Sequence, residues 1–92
     1  MLTKIVTHAD CLLHKNPPGH PEQVARLSHI LDVLGPLNLP LINAPLVADD
    51  DLLRVHPESH IRAMRDAAPS EGWQSLDSDT HMSPGTLTAA LR

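Results

Sequence analysis

Hydrophobic and polar positions along the chain predict short strands that alternate with helices. β-Branched residues predict a first strand at 3–7. The next apolar residues follow the period of one helix face and are Val24, Leu27, Ile30, Leu31 and Leu34. Pro21 suits the first position of this helix because it has no amide hydrogen. Glu22 suits the first turn, where the helix dipole favours negative charge, and Gly35-Pro36 is expected to end the helix.

A second strand and two further helices are expected in the middle of the chain. The strand is predicted at 41–43, within an apolar segment that prolines interrupt. Asp49 suits the N-cap of a short helix that runs to Val55. His56-Pro57-Glu58 is expected to open the next helix, which should end at Ala67-Ala68-Pro69.

The last part of the chain predicts a brief extended piece at 73–76 and a final helix over 84–92. Ser83 is expected to be the N-cap of this helix, with Pro84 at its first position. No Gly, Asn or Pro follows to stop the helix, which favours truncation of a longer domain. The order strand, helix, strand and three helices predicts a single α/β unit, residues 1–92, whose remaining strands are missing.

The composition limits how the chain can form a core and which partners it can have. Its 92 residues include one aromatic side chain, Trp73, and no Phe or Tyr, so aliphatic residues must fill the interior. The formal net charge is −4 and no cluster of Lys and Arg occurs, which argues against a nucleic-acid partner. No apolar run approaches the roughly 20 residues that span a bilayer, which argues against a membrane partner. Lone Cys11 excludes an internal disulfide, and we expect a soluble, cytoplasmic protein.

Two groups of polar residues have the side chains that a metal ion could bind. His8, Asp10, Cys11 and His14 offer imidazole, carboxylate and thiolate within seven residues. The alternative without a metal ion is a set of loop histidines beside a half-buried cysteine, because no second cysteine exists to complete a structural zinc site. Asp77, Asp79 and His81 would share one face of an extended segment, and the alternative is an Asx-rich loop.

Nucleophilic catalysis has little support in the sequence. Cys11 lies three residues from His14, but no third group that would orient such a pair can be identified. The chain contains no Gly-x-Ser-x-Gly elbow, no P-loop and no dinucleotide-binding fingerprint. Local chemistry alone therefore predicts a soluble α/β fragment without assigning it a function.

Several short motifs occur in an order that covers nearly the whole chain. They are Thr7-His8-x-Asp10-Cys11-Leu12-Leu13-His14, Pro18-Gly19-His20-Pro21-Glu22 with Arg26-Leu27, Leu53-Arg54-Val55-His56, Leu76-Asp77-x-Asp79-Thr80, Ser83-Pro84-Gly85-Thr86 and Ala89-Ala90-Leu91. As a set they resemble the histone deacetylase family. The closest resemblance is to its bacterial class II-like deacetylases, acetoin-utilisation proteins and acetylpolyamine amidohydrolases.

The resemblance implies an arginase–deacetylase architecture, which is a three-layer α/β/α fold with a parallel sheet. This chain would form its N-terminal part, incomplete on its own. The loop that contains His20 would then lie at the substrate-binding mouth of the active site. Arg26 would lie beside the channel through which acetate is thought to leave, where a guanidinium can hold a carboxylate. Asp79 would lie on the rim and accept hydrogen bonds from substrate amides.

The resemblance also implies zinc-dependent hydrolysis of acetyl-lysine or acetyl-amine amides, in which a histidine pair moves protons and a tyrosine holds the oxyanion. The chain contains no His-His pair and no tyrosine. We therefore expect no specific zinc site, no catalytic residue and no activity in this chain alone. One alternative is a non-catalytic interaction module, folded through self-association or with the remainder of the domain. The other is a small His/Cys metal-binding protein.

Overall fold

A computed structural model of the chain describes residues 3–92, and its elements follow the predicted order, with one further strand at His81–Met82 that the sequence did not predict. Two 3₁₀ segments, Ala9–Leu13 and Gly35–Leu37, accompany the regular strands and helices. These elements are β1 (Ile5–Thr7), α1 (Val24–Leu34), β2 (Leu41–Asn43), α2 (Asp49–Leu52), α3 (Glu58–Ala67), β3 (Gln74–Ser75), β4 (His81–Met82) and α4 (Thr86–Leu91).

A two-stranded parallel sheet joins β1 to β2, with α1 in the connection between them. Ile5 pairs with Leu41 and Thr7 with Asn43. The amide of Ala44 donates to the carbonyl of Thr7 at 2.8 Å and continues the ladder past β2. This strand–helix–strand unit confirms the expected α/β class, because a parallel pair needs a crossover connection of this kind.

The start predicted for α1 is wrong. This helix begins at Val24 with Gln23 as its N-cap residue, so Pro21 lies three residues ahead of it and Glu22 lies outside its first turn. The reason is a local hydrogen bond in which the Glu22 amide donates to Nδ1 of His20 at 3.0 Å. This bond closes a turn where helical geometry was expected.

Asp49 and Ser83 are not the helix caps that the sequence predicts. Ala48 is the N-cap residue of α2, and Asp49 is its first helical residue, with a carboxylate that accepts two hydrogen bonds from Arg65 at 2.7 and 2.8 Å. This helix ends at Leu52 and not at Val55 as predicted.

The last helix also begins later than the sequence predicts. Gly85 is the N-cap residue of α4, which begins at Thr86, so Pro84 lies before the helix. Ser83 is not the N-cap residue of α4, and its hydroxyl accepts a hydrogen bond from the amide of Lys15 at 3.1 Å. A distant backbone group thus uses the oxygen that the prediction assigned to the helix.

The predicted end of α1 is confirmed, although the chain turns differently from the expected glycine cap. Gly35 follows Leu34 with right-handed backbone angles, and the 3₁₀ segment then continues to Leu37. Asn38 adopts the left-handed conformation with φ of 51° and reverses the chain toward β2. Asparagine tolerates this region better than most residues, so it performs the role expected of a C-terminal glycine.

Few residues are fully buried, and much of the apolar surface is open to solvent. Among residues 3–92 only Ala44, Met82 and Ser83 are buried. Val6 and Ile42 pair across the parallel sheet yet are 62% and 41% exposed. Parallel sheets are normally covered on both faces, so this small sheet presents apolar surface that packed elements cover in larger α/β folds.

Arg92 connects three parts of the fold. Its Nε donates to Oδ2 of Asp10 at 2.9 Å, and a terminal nitrogen donates to the carbonyl of Ala44 at 3.2 Å. The amide of Val47 donates to the carbonyl of Leu91 at 2.7 Å in the same region. The end of α4 is thereby fixed to the first 3₁₀ segment and to the end of β2.

Gly85 lies at a close approach between α4 and the first 3₁₀ segment. A Cβ atom at this position would lie 2.5 Å from both the Cβ and the carbonyl oxygen of Leu13. Only glycine fits at this separation, so the sequence allows α4 to pack directly on backbone.

Every helix between residues 3 and 92 is too short or too polar to reach across a lipid bilayer.

Replacement of Arg92 tests whether this connection stabilises the fold. We expect Arg92→Ala to lower the free energy of unfolding by about 1.5–3 kcal/mol, because it removes hydrogen bonds to a half-buried carboxylate and leaves that charge unpaired. Urea unfolding followed by far-ultraviolet circular dichroism measures the change.

The matched control is Arg62→Ala, which breaks an exposed i,i+4 pair with Glu58 within α3. Such a pair contributes about 0.3–0.5 kcal/mol. Equal losses of stability in the two variants would contradict the role assigned to Arg92.

Candidate functional site

The site lies where the loop over 14–22 meets the β3–β4 hairpin and the start of α4. A cavity of about 240 Å³ opens between these elements. Apolar side chains from α3, the hairpin and α4 form part of its wall. The polar residues around it are His14, Asn16, Glu22, Asp79, Thr80, His81 and Thr86.

The hairpin holds the loop through the backbone of Lys15. The amide of Lys15 donates to Oγ of Ser83 at 3.1 Å, and its carbonyl accepts from Nε1 of Trp73 at 2.7 Å. Gly19 then turns the loop with φ of 86°, a conformation that side chains disfavour. The amide and the carbonyl of Lys15 therefore both have hydrogen-bond partners where the loop enters the site.

His20 and Asp79 meet across this site, although 59 positions separate them in sequence. The imidazole Nε2 lies 3.0 Å from the carbonyl oxygen of Asp79 and 3.3 Å from its Oδ1. The side chain of His20 is 12% exposed, whereas that of Asp79 is 85% exposed. Two of the three predicted site residues are thus in contact, with the carboxylate open to solvent.

The turn that presents Asp79 is an Asx turn, as the loop alternative for this segment predicts. The amide of Asp79 donates to Oδ1 of Asp77 at 2.8 Å, and the amide of Leu76 donates to the carbonyl of Thr80 at 2.8 Å. The backbone hydrogen bond from Asp79 is the main reason that the pKa of Asp77 lies below its ordinary value.

A second polar group connects the loop to α4 through His14. Nδ1 of His14 lies 2.7 Å from Oγ1 of Thr86, and Nε2 lies 3.3 Å from Nδ2 of Asn16 and 3.6 Å from Oε2 of Glu22. Asn16 donates to Oε2 of Glu22 at 2.9 Å. This donation is the main reason that the pKa of Glu22 lies below its ordinary value.

The two candidate metal clusters are used in other ways. Nδ1 of His8 accepts from the amide of Asp10, and the carboxylate of Asp10 accepts from Arg92. In the second cluster, Nδ1 of His81 lies 2.9 Å from Oγ of Ser75. Residues 3–92 contain no group of three His, Cys, Asp or Glu side chains placed to hold a metal ion.

Arg26 stands apart from the contacts between His20 and Asp79. It lies on the exposed side of α1, and its side chain has no hydrogen bond or ion pair within residues 3–92. Its predicted position beside a channel stays a prediction.

Sequence reasoning missed Asn16, and it named His81 only as a candidate metal ligand and not as a neighbour of His20. The ring of His81 packs edge-on against His20 with centroids 5.6 Å apart. Asn16 and Glu22 are six residues apart in an irregular loop, so no periodicity could have paired them. A strand prediction at 81–82 would have aligned His81 with Ser75 and placed it near the site.

Sequence comparison finds similarity to two curated deacetylase-type proteins. The chain is 40% identical over 76 residues to the histone deacetylase-like amidohydrolase of Pseudomonas aeruginosa, which covers 78% of this chain and 20% of the relative. It is 29% identical over 97 residues to a probable deacetylase of Archaeoglobus fulgidus, which covers 99% of this chain and 26% of the relative. No protein-family model matches the chain.

Structural comparison finds the same fold in the crystal structure of the HDA15 HD domain. The TM-score is 0.83 at 24% sequence identity, and the match covers 98% of this chain and 28% of that chain. The chain thus spans about a quarter of the length of the proteins it matches. The structural match confirms the α/β fold. Together with the two relatives, it confirms the resemblance to the histone deacetylase family.

The titration of Glu22 tests the hydrogen bonds at the loop. The folded chain lowers the pKa of Glu22, so the ionised form stabilises the fold above the ordinary value of 4.5, and this contribution is lost as the pH falls through the lowered pKa. We expect Asn16→Ala to raise the pKa of Glu22 toward 4.5, because it removes the main donor. A pH titration of the Glu22 side-chain carbon by NMR measures this change.

Asn43→Ala is the matched control, because Asn43 is an exposed residue of β2 that makes no contact with Glu22. An unchanged pKa of Glu22 in the Asn16→Ala variant would contradict the role given to the Asn16 amide.

Proposed function

We propose that this chain, similar to one stretch of the histone deacetylase family, forms the substrate-binding mouth of a deacetylase-like amidohydrolase. The observation that carries the proposal is the contact between His20 and Asp79, of which Asp79 lines the 240 Å³ cavity. The resemblance assigns both residues to the mouth of the active site, and they come from opposite ends of the sequence. A cytoplasmic location and an N-terminal position within the complete domain are part of this proposal.

The carboxylate of Asp79 has the properties that substrate binding requires. Its side chain is 85% exposed, so its oxygens have acceptor capacity to spare. Hydrogen bonds from amide N–H groups to an ionised carboxylate are stronger than those between neutral groups. An acetylated lysine or amine with neighbouring amide groups is therefore the substrate class that this mouth would bind.

Arg26 is proposed to serve the departure of acetate. An arginine guanidinium offers forked hydrogen-bond donors that suit a carboxylate. The side chain is exposed on α1 and has no partner within residues 3–92, which leaves these donors available.

Zinc enters this proposal only through the family resemblance. Because no three suitable side chains converge within residues 3–92, these residues do not fit a zinc site. We propose that the zinc ligands, the histidine pair and the tyrosine of the complete enzyme lie outside this stretch. The chain contributes substrate contacts and is inactive alone.

A second candidate function is a non-catalytic interaction module. Val6, Leu41 and Ile42 present apolar surface on a parallel sheet at exposures of 62%, 67% and 41%. Such a surface favours association with a second copy or with the remainder of a domain. The following experiment separates this candidate from the first.

A chimeric enzyme tests the proposed mouth. This chain replaces the matched stretch in the Pseudomonas aeruginosa relative, and turnover of a fluorogenic acetyl-lysine substrate is measured with added zinc. We expect activity from the chimera and none from the isolated chain. Asp79→Asn in the chimera should lower kcat/KM by about 10–100-fold, because a charge-assisted hydrogen bond contributes about 1.5–3 kcal/mol.

Asp66→Asn is the matched control, since Asp66 is exposed on α3 and belongs to no part of the proposed mouth. Its chimera should match the unmodified one. Turnover by the isolated chain would overturn the proposed inactivity. A folded but inactive chimera would favour the interaction module, whereas full activity of the Asp79→Asn chimera would overturn the role assigned to Asp79.

A further inference from the structure

Both ring nitrogens of His20 are already engaged within the chain. The amide of Glu22 donates to Nδ1 at 3.0 Å, so Nδ1 is an acceptor and carries no proton. The proton of the neutral ring therefore lies on Nε2, which donates to the carbonyl of Asp79 at 3.0 Å. This tautomer leaves His20 no free donor or acceptor for a substrate.

Asp79 is held at both of its backbone polar atoms. Its amide donates to Oδ1 of Asp77 at 2.8 Å, and its carbonyl accepts from Nε2 of His20. Nothing else in the hairpin turn buries this residue, because residues 71–80 are all exposed. The orientation of the exposed carboxylate thus depends on these two hydrogen bonds and on the 3.3 Å contact of its Oδ1 with Nε2 of His20.

His20 is itself firmly placed. Its side chain is 12% exposed, and the ring of His81 packs perpendicular to it at 5.6 Å. His81 is fixed in turn by Ser75 across the hairpin at 2.9 Å. The largely covered imidazole is therefore the anchor, and the exposed Asp79 is the residue that it anchors.

We infer that His20 is a positioning residue that fixes the Asp79 turn at the mouth and does not itself bind the ligand. The chemical identity of that ligand rests on the proposed function, whereas the positioning role of His20 rests only on contacts within this chain. A residue whose backbone is already fixed loses less conformational entropy when its carboxylate binds a ligand. By fixing Asp79, His20 thereby raises the affinity of this carboxylate for its ligand.

Two substitutions separate the two hydrogen bonds of His20. His20→Asn keeps an acceptor at the position of Nδ1, in the same kind of turn that Asp77 makes with the amide of Asp79. Its shorter side chain loses the hydrogen bond to the carbonyl of Asp79. His20→Gln places a side-chain amide donor near the position of Nε2 and loses the acceptor for Glu22. The isolated chain is used, so no substrate or activity enters the test.

Backbone ¹⁵N relaxation and amide exchange measure the result. We expect the order parameter of Asp79 to fall from roughly 0.85 to below 0.6 in His20→Asn and to stay near 0.85 in His20→Gln. The amide of Glu22 should exchange with solvent faster in His20→Gln only. A long-range ¹H–¹⁵N spectrum of the unmodified chain should show the proton of His20 on Nε2.

Equal order at Asp79 in the two variants would overturn the inference, and so would a proton on Nδ1 in the unmodified chain. The tautomer measurement needs no substitution, so it decides the matter even if a variant fails to fold. An inactive chimera in the earlier experiment would overturn the proposed function and leave this positioning role intact.

Discussion

The candidate site depends on how the hairpin satisfies the backbone of one loop residue. The loop over 14–20 contains two prolines and forms no regular ladder, so its polar groups need partners from elsewhere. Lys15 finds them in the hydroxyl of Ser83 and the indole of Trp73. These two bonds hold the start of the loop against the hairpin, and the contact of His20 with Asp79 holds it further along. The cavity exists because an irregular segment is tied to side chains more than 55 positions away.

Local signals predicted the elements well and their starts poorly. The strand at 41–43 and the end of α1 follow from residues that lie next to each other, and both are confirmed. The starts of α1 and α4 differ from the predicted ones where two side chains have other partners. His20 accepts a hydrogen bond from the amide of Glu22, and Ser83 accepts one from the amide of Lys15. Helix propensity anticipates neither contact, because the first is a competing local turn and the second arises only when distant segments meet.

The site was predictable only in part, for the same reason. The resemblance named His20 and Asp79, and the structure brings them together. Neither spacing nor periodicity could show that His14, Asn16 and Glu22 form one polar group, since a proline-rich loop has no repeating geometry. The strand at 81–82 is two residues long, and its pairing with β3 is visible only in three dimensions.

The hydrogen bond between Trp73 and Lys15 gives the molecule a built-in optical probe. Trp73 is the sole indole of the chain, and its Nε1 is bonded to the loop at 2.7 Å. All of the tryptophan emission therefore originates at the junction between the loop and the hairpin. Because the ring is 48% exposed, opening of this junction would change both its hydrogen bonding and its hydration. Intrinsic fluorescence thus reports on the mouth without any label.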